Sequence, residues 1–103
     1  EQVLLVFLNN KGALIRDLVL TKGTVNQTIL SPREDFIEAF RYQAVKIILI
    51  HNHPSGDPTP SAEDVAVTRQ IQKAGELTAI PLLDHIIIGD GRFISLKERG
   101  YIS

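Results

Sequence analysis

Short apolar runs alternate with clusters of turn-forming residues along the whole chain. Residues 3–8 are an uninterrupted apolar run of the length expected for a buried strand. Asn9-Asn10-Lys11-Gly12 is a turn signal, and residues 13–21 read as a second strand, which predicts a hairpin. Residues 22–29 read as a loop with some extended character. Ser31-Pro32-Arg33-Glu34 has the marks of a helix start: Ser as N-cap, Pro at the first helical position, and Glu at the third, where it would join a capping box. Phe36, Ile37, Ala39, Phe40 and Ala44 follow at helical spacing and predict a helix over 32–44.

Residues 46–50, KIILI, are apolar on both faces and predict a central strand whose C-terminal end delivers His51 and His53. Residues 54–60 form a loop. Ser61-Ala62-Glu63-Asp64 starts a second helix, with Val65, Val67, Ile71 and Ala74 among its apolar positions and Gly75 as the expected C-cap. Residues 79–88 read as a strand, Gly89-Asp90-Gly91 as a tight turn, and 92–95 as its partner, with a short last helix from Leu96. Repeats and low-complexity segments are absent. Strands with two intercalated helices predict an α/β fold: a single mixed β-sheet with helices packed on it, forming one domain over residues 1–103.

Composition narrows this picture. With 44% hydrophobic residues in 103, the chain can build its own core. The net charge is −1 and the basic residues are dispersed, which argues against an autonomous nucleic-acid binder. There is no cysteine, so disulfides and thiolate metal sites are excluded, and any metal must use His, Asp or Glu. The same absence fits a reducing, cytoplasmic location. No apolar run approaches the roughly 20 residues of a membrane-spanning helix, and no signal peptide is visible. The chain runs from Glu1-Gln2 straight into a strand, so an excised domain of a longer protein is expected.

Residues 51–64, HNHPSGDPTPSAED, carry the candidate chemistry. A lone histidine is usually a surface or satisfied core residue. Two at i and i+2 of a strand share one face and can bind one ion. Asp64 stands eleven residues after His53, beyond a loop punctuated by Pro54, Gly56, Pro58 and Pro60 that is expected to turn back. Asp64 in a first turn also suits the helix dipole, and Ser61 is a preferred N-cap. Neither role accounts for two histidines on the same loop. A His, His, Asp set with an open fourth position is the catalytic rather than the closed structural type.

His51-x-His53, seven residues, Ser61, two residues, Asp64 matches H-x-H-x7-S-x2-D and resembles the JAMM motif of JAB1/MPN-type metalloproteases. The segments VLLVFLNNKG, PREDF, KIILIHNHPSGDPTPSAED and LLDHIIIGDGRFISLKERGYIS look like the RadC family, which carries this motif in a C-terminal domain. The resemblance covers essentially the whole chain. It implies a JAB1/MPN-like fold with the α/β/α architecture of cytidine deaminases. It also implies one zinc ion per chain, held by His51, His53, Asp64 and water. Glu1, immediately before the first strand, takes the position of the family's proton-shuttling glutamate; Glu34 and Glu38 are the alternatives. Ser61 would stabilise the oxyanion of a tetrahedral intermediate. Asp84-His85, a charged pair within an apolar strand, reads either as a satisfied core pair or as a group orienting a ligand histidine. Asn52, Ser55, Gly56 and Asp57 read as loop-shaping.

The implied reaction is hydrolysis of an amide or isopeptide bond in a peptide or protein of unknown identity. The letters HNH do not make a nuclease, whose named residues are dispersed through a ββα unit. A zinc deaminase needs cysteines and a Glu where His53 stands, and HExxH is absent. Two other readings compete. One is a non-catalytic interaction module linked by its family's name to DNA repair. The other is a purely structural metal. The edge near 92–95 is a candidate for strand addition by a peptide or a second copy.

Overall fold

The computed structural model describes residues 2–22 and 31–103. Glu1 and nearly all of the loop expected at 22–29 lie outside the described residues. Seven elements follow in chain order: β1 (Gln2–Leu8), β2 (Leu14–Lys22), α1 (Pro32–Arg41), β3 (Lys46–Asn52), α2 (Ala62–Thr78), β4 (Leu82–Gly89) and β5 (Arg92–Ser95). The strands make one five-stranded sheet in the order β2-β1-β3-β4-β5. Among these strands only β3 and β4 run parallel, joined across α2, so the sheet is mixed as the alternation of elements predicts.

The pleat decides which side chains enter the core. Val3, Leu5 and Phe7 of β1, Ile47 and Leu49 of β3 and Ile87 of β4 point to one face. There they meet Phe36 and Ala39 of α1 and Val67 and Ile71 of α2. Each large side chain withdrawn from water in this way contributes about 1.5–3 kcal/mol. Both helices share this face, so the described residues supply two layers of the α/β/α architecture. On the other face Leu4, Val6, Ile48, Ile50 and Ile86 are half-buried, and Ile88 and Phe93 are exposed.

Four expectations are corrected. The first helix stops at Arg41 rather than reaching residue 44. Gln43 takes a left-handed conformation (φ 52°), and the N–H groups of Gln43 and Ala44 close onto the carbonyls of Phe40 and Ala39. Glu34 forms only half of a capping box. Ser31 accepts from its N–H, but its carboxylate bonds Arg33 at 2.9 Å.

Gly75 is not the C-cap of α2. The helix runs on to Thr78, and Ala79 takes the left-handed position (φ 60°). The glycine is needed because the chain folds back over it. A Cβ there would lie 2.7 Å from the Ile80 carbonyl oxygen, and Ile80 N–H bonds the Gly75 carbonyl at 3.0 Å. Finally, the residues after Leu96 form turns rather than a helix. Arg99 N–H closes one turn onto Ser95, Gly100 turns left-handed, and Ile102 returns to the core.

Candidate metal centre

The site is built at the C-terminal end of β3. His51 lies within the strand, paired with Val3 of β1 and Ile87 of β4, and is only 3% exposed. His53 lies just past the strand but extends its pairing, donating its N–H to the Ile88 carbonyl at 2.9 Å. Strand geometry therefore holds both imidazoles on one face, with ring centroids 4.8 Å apart. Asn52 points the other way, and its Oδ1 accepts from Gln2 N–H at 2.7 Å, tying the start of β1 to this end of the sheet.

The loop after His53 is pinned at several points. Asp57 Oδ1 accepts from both the N–H and the hydroxyl of Thr59. Ser55 Oγ accepts from Asp57 N–H, and Arg92 donates to the Gly56 carbonyl. Gly89 at the end of β4 permits the crossing, since a Cβ there would lie 2.7 Å from Gly56 O. The loop thus returns α2 to the histidines by its N-terminus. Ser61 and Asp64 form a reciprocal capping box: Ser61 Oγ accepts from Asp64 N–H at 3.0 Å, and Asp64 Oδ2 accepts from Ser61 N–H at 2.8 Å.

The acid of the capping box is also the site's acid. Asp64 Oδ1 lies 3.4 Å from His51 Nε2, and Oδ2 lies 3.1 Å from His53 Nε2. The three ligand atoms all fall within 4.8 Å of one another. Metal–ligand bonds of about 2.0–2.2 Å in a tetrahedron place neighbouring donors roughly 3.3–3.6 Å apart, and the two His–Asp separations lie close to that range. The hydrogen bonding points the same way. His53 Nδ1 lies 2.8 Å from the Asp57 carbonyl oxygen, which can only accept, so Nδ1 carries the proton. In its neutral form His53 then turns its Nε2 lone pair toward Asp64 Oδ2, the orientation that two ligands of one cation need. The residues present therefore fit a divalent metal ion.

Partial burial works to raise the Asp64 pKa. Hydrogen bonds from His51 and the Ser61 N–H, together with positive charge at His51, outweigh it and hold Asp64 well below the usual carboxylate range. Behind His51 lies His85, 1% exposed, its Nε2 2.8 Å from His51 Nδ1. Burial, reinforced by positive charge at His51, pushes His85 down to about 3, so its ring is neutral. Thr68 Oγ1 lies 2.6 Å from His85 Nδ1 and 2.7 Å from the Asp64 carbonyl oxygen.

The structure separates Asp84 from His85. The Asp84 carboxylate accepts from Ser95 Oγ, from Lys97 N–H and from the N–H of His85, and it organises the turn after β5 rather than the metal position. Neighbours in a strand face opposite sides, a signal that could have divided the pair. Thr68 carries no motif of its own in the sequence, although four residues after Asp64 on a helix puts it on the same face. Glu34 and Glu38 lie on α1, where they pair with Arg33 and Arg41. Glu1 lies outside the described residues.

The family model described as a RadC-like JAB domain matches residues 1–101. The chain is 49% identical over 102 residues to the UPF0758 protein YsxA of Bacillus subtilis, covering 99% of this chain and 44% of that protein. It is 51% identical to a UPF0758 protein of Bacillus cereus and 48% identical to one from Methanococcoides burtonii. In each case the match covers 45% of the relative, so the chain spans less than half the length of these proteins.

Proposed function

Since this chain belongs to the family of RadC-like JAB domains, we propose that it is a zinc-dependent hydrolase of amide bonds, acting on peptide or isopeptide links in a protein substrate. The observation that carries this reading is the convergence of His51, His53 and Asp64 at separations suited to one ion. A divalent ion held there supplies a Lewis acid and an activated water. His51 and His53 offer neutral nitrogen donors, Asp64 offers the negative charge, and a fourth position stays open.

Ser61 serves both as cap and as donor. Its oxygen only accepts in the capping bond, so its hydroxyl hydrogen is free to meet negative charge developing on a substrate carbonyl. A donor aimed at such charge lowers a barrier by about 2.7–4 kcal/mol. The N-terminus of α2 adds its positive dipole end at the same place. Glu1 is assigned the proton shuttle. The assignment is supported by the register of the strand it precedes: Val3 pairs with His51, and Gln2 bonds Asn52. A cytoplasmic site of action completes the proposal, supported by the lack of cysteine; among the described residues no helix is long and apolar enough to cross a membrane.

The test is zinc stoichiometry by elemental analysis on the wild type and His53→Ala, with circular dichroism of both. The expected result is about one zinc per chain in the wild type and none in a folded His53→Ala. Chelation should leave the wild type folded, as expected of a catalytic rather than a structural ion. A folded wild type that takes up no zinc after reconstitution refutes the hydrolase and favours a non-catalytic interaction module.

A further inference from the structure

We propose that Thr68 and His85 are positioning residues in a proton relay whose direction reverses when a cation enters the site. The relay has this role only if His51 holds a cation, as proposed above. Its heavy atoms begin and end on Asp64. The Asp64 carbonyl oxygen lies 2.7 Å from Thr68 Oγ1, which lies 2.6 Å from His85 Nδ1. His85 Nε2 lies 2.8 Å from His51 Nδ1, and His51 Nε2 lies 3.4 Å from Asp64 Oδ1. Thr68, His85 and His51 are all buried, so the chain's own protons must serve these contacts.

The count of protons is decisive. There are four gaps between electronegative atoms. When His51 carries no charge, Thr68, His85 and His51 hold one mobile hydrogen each, and both ends on Asp64 only accept. Three hydrogens cannot fill four gaps. Without a cation, the costliest gap to leave empty faces the charged carboxylate. His51 then carries its hydrogen on Nε2, His85 on Nε2, and Thr68 donates to His85 Nδ1; the empty gap falls at the neutral carbonyl.

A cation between His51 Nε2 and Asp64 fills the fourth gap and needs the Nε2 lone pair. All three hydrogens then step the other way. His51 carries its hydrogen on Nδ1, His85 on Nδ1, and Thr68 donates to the Asp64 carbonyl. No hydrogen is gained or lost, and no side chain need move. The loaded form fills every gap, so the relay holds His51 in the tautomer that can ligate.

The test is ring nitrogen NMR of the histidine-labelled 103-residue chain in alkaline buffer, before and after zinc titration. His85 is expected to be protonated on Nε2 without zinc and on Nδ1 with it. Thr68→Val is expected to weaken zinc binding about 10–100-fold while keeping its circular dichroism, and Thr68→Ser to restore it. A wild type that binds zinc while His85 keeps the same protonated nitrogen overturns the relay alone, as does a folded Thr68→Val that binds zinc as tightly as the wild type. Should Thr68→Val not fold, the wild-type ring spectra decide by themselves. A wild type that takes up no zinc overturns the metal site and the relay with it.

Discussion

The two helices begin with similar sequences, Ser31-Pro32-Arg33-Glu34-Asp35 and Ser61-Ala62-Glu63-Asp64, yet their acids meet opposite fates. Asp64, third in its helix, receives the N–H of the residue that caps it and faces two histidines. Its carboxylate is stabilised as an anion. In α1 the third position is Glu34, which points to solvent and Arg33. Asp35 comes one residue later, turned about 100° around the helix and into the core. It is fully buried, and among the described residues neither of its oxygens has a hydrogen-bond partner. Burial, with Glu34 beside it, pushes its pKa from 3.8 up to about 7. The contrast shows that a buried acid is tolerated for its partners, and one step along a helix is enough to lose them.

The largest expected effect that would break this comparison is at Asp64. Asp64→Ala should abolish zinc uptake and also remove the carboxylate half of the capping box, lowering stability by about 0.5–1.5 kcal/mol. Elemental analysis and urea unfolding read the two losses separately, and a variant that retains full zinc would refute the site.

Asp35→Val should do the reverse and stabilise the fold. An acid protonated in the fold up to about pH 7 but only to 3.8 when unfolded destabilises by on the order of 4 kcal/mol above pH 7, at 1.36 kcal/mol per pH unit. Below pH 3.8 both states bind the proton and the penalty vanishes, so wild-type stability should fall as pH rises from about 4 to 7. Asp64 acts in the other direction and elsewhere. Its depressed folded pKa contributes stability above the unfolded value of 3.8 that is lost only on further acidification. Urea midpoints measured from about pH 4 to 8 should show a slope in the wild type that Asp35→Val removes. An unchanged slope would move its cause away from Asp35.

The smallest effects are expected at the caps themselves. Ser61→Ala should destabilise by about 1 kcal/mol and Ser31→Ala by about half that, because the Ser31 bond is long, 3.4 Å against 3.0 Å. Equal losses in thermal unfolding would show that hydrogen-bond length does not separate the two helix starts.

Much of the site is legible in the sequence because its signals are local. His51 and His53 share a face by strand periodicity, and Ser61 and Asp64 sit three apart at a helix start; both relations follow from backbone geometry within a few residues. The end of α1 is less legible, because Gln43 rather than glycine takes the left-handed position. Gly75 misleads for the opposite reason: its lack of a side chain answers a close approach by Ile80, which lies in the chain beyond the helix.

The sequence by itself determined the succession of strands and helices, the donor set at residues 51–64 and the exclusion of thiolate chemistry. Only the tertiary structure decided which side chains stand behind that donor set. His85 reaches His51 because β3 and β4 pair in parallel with Leu49 opposite His85, and Thr68 reaches His85 because α2 packs against β4. Asp35 became a liability by the same packing. Periodicity reports the face on which a residue lies; what waits on that face is set by register and crossing between segments distant in the chain, which no local pattern encodes.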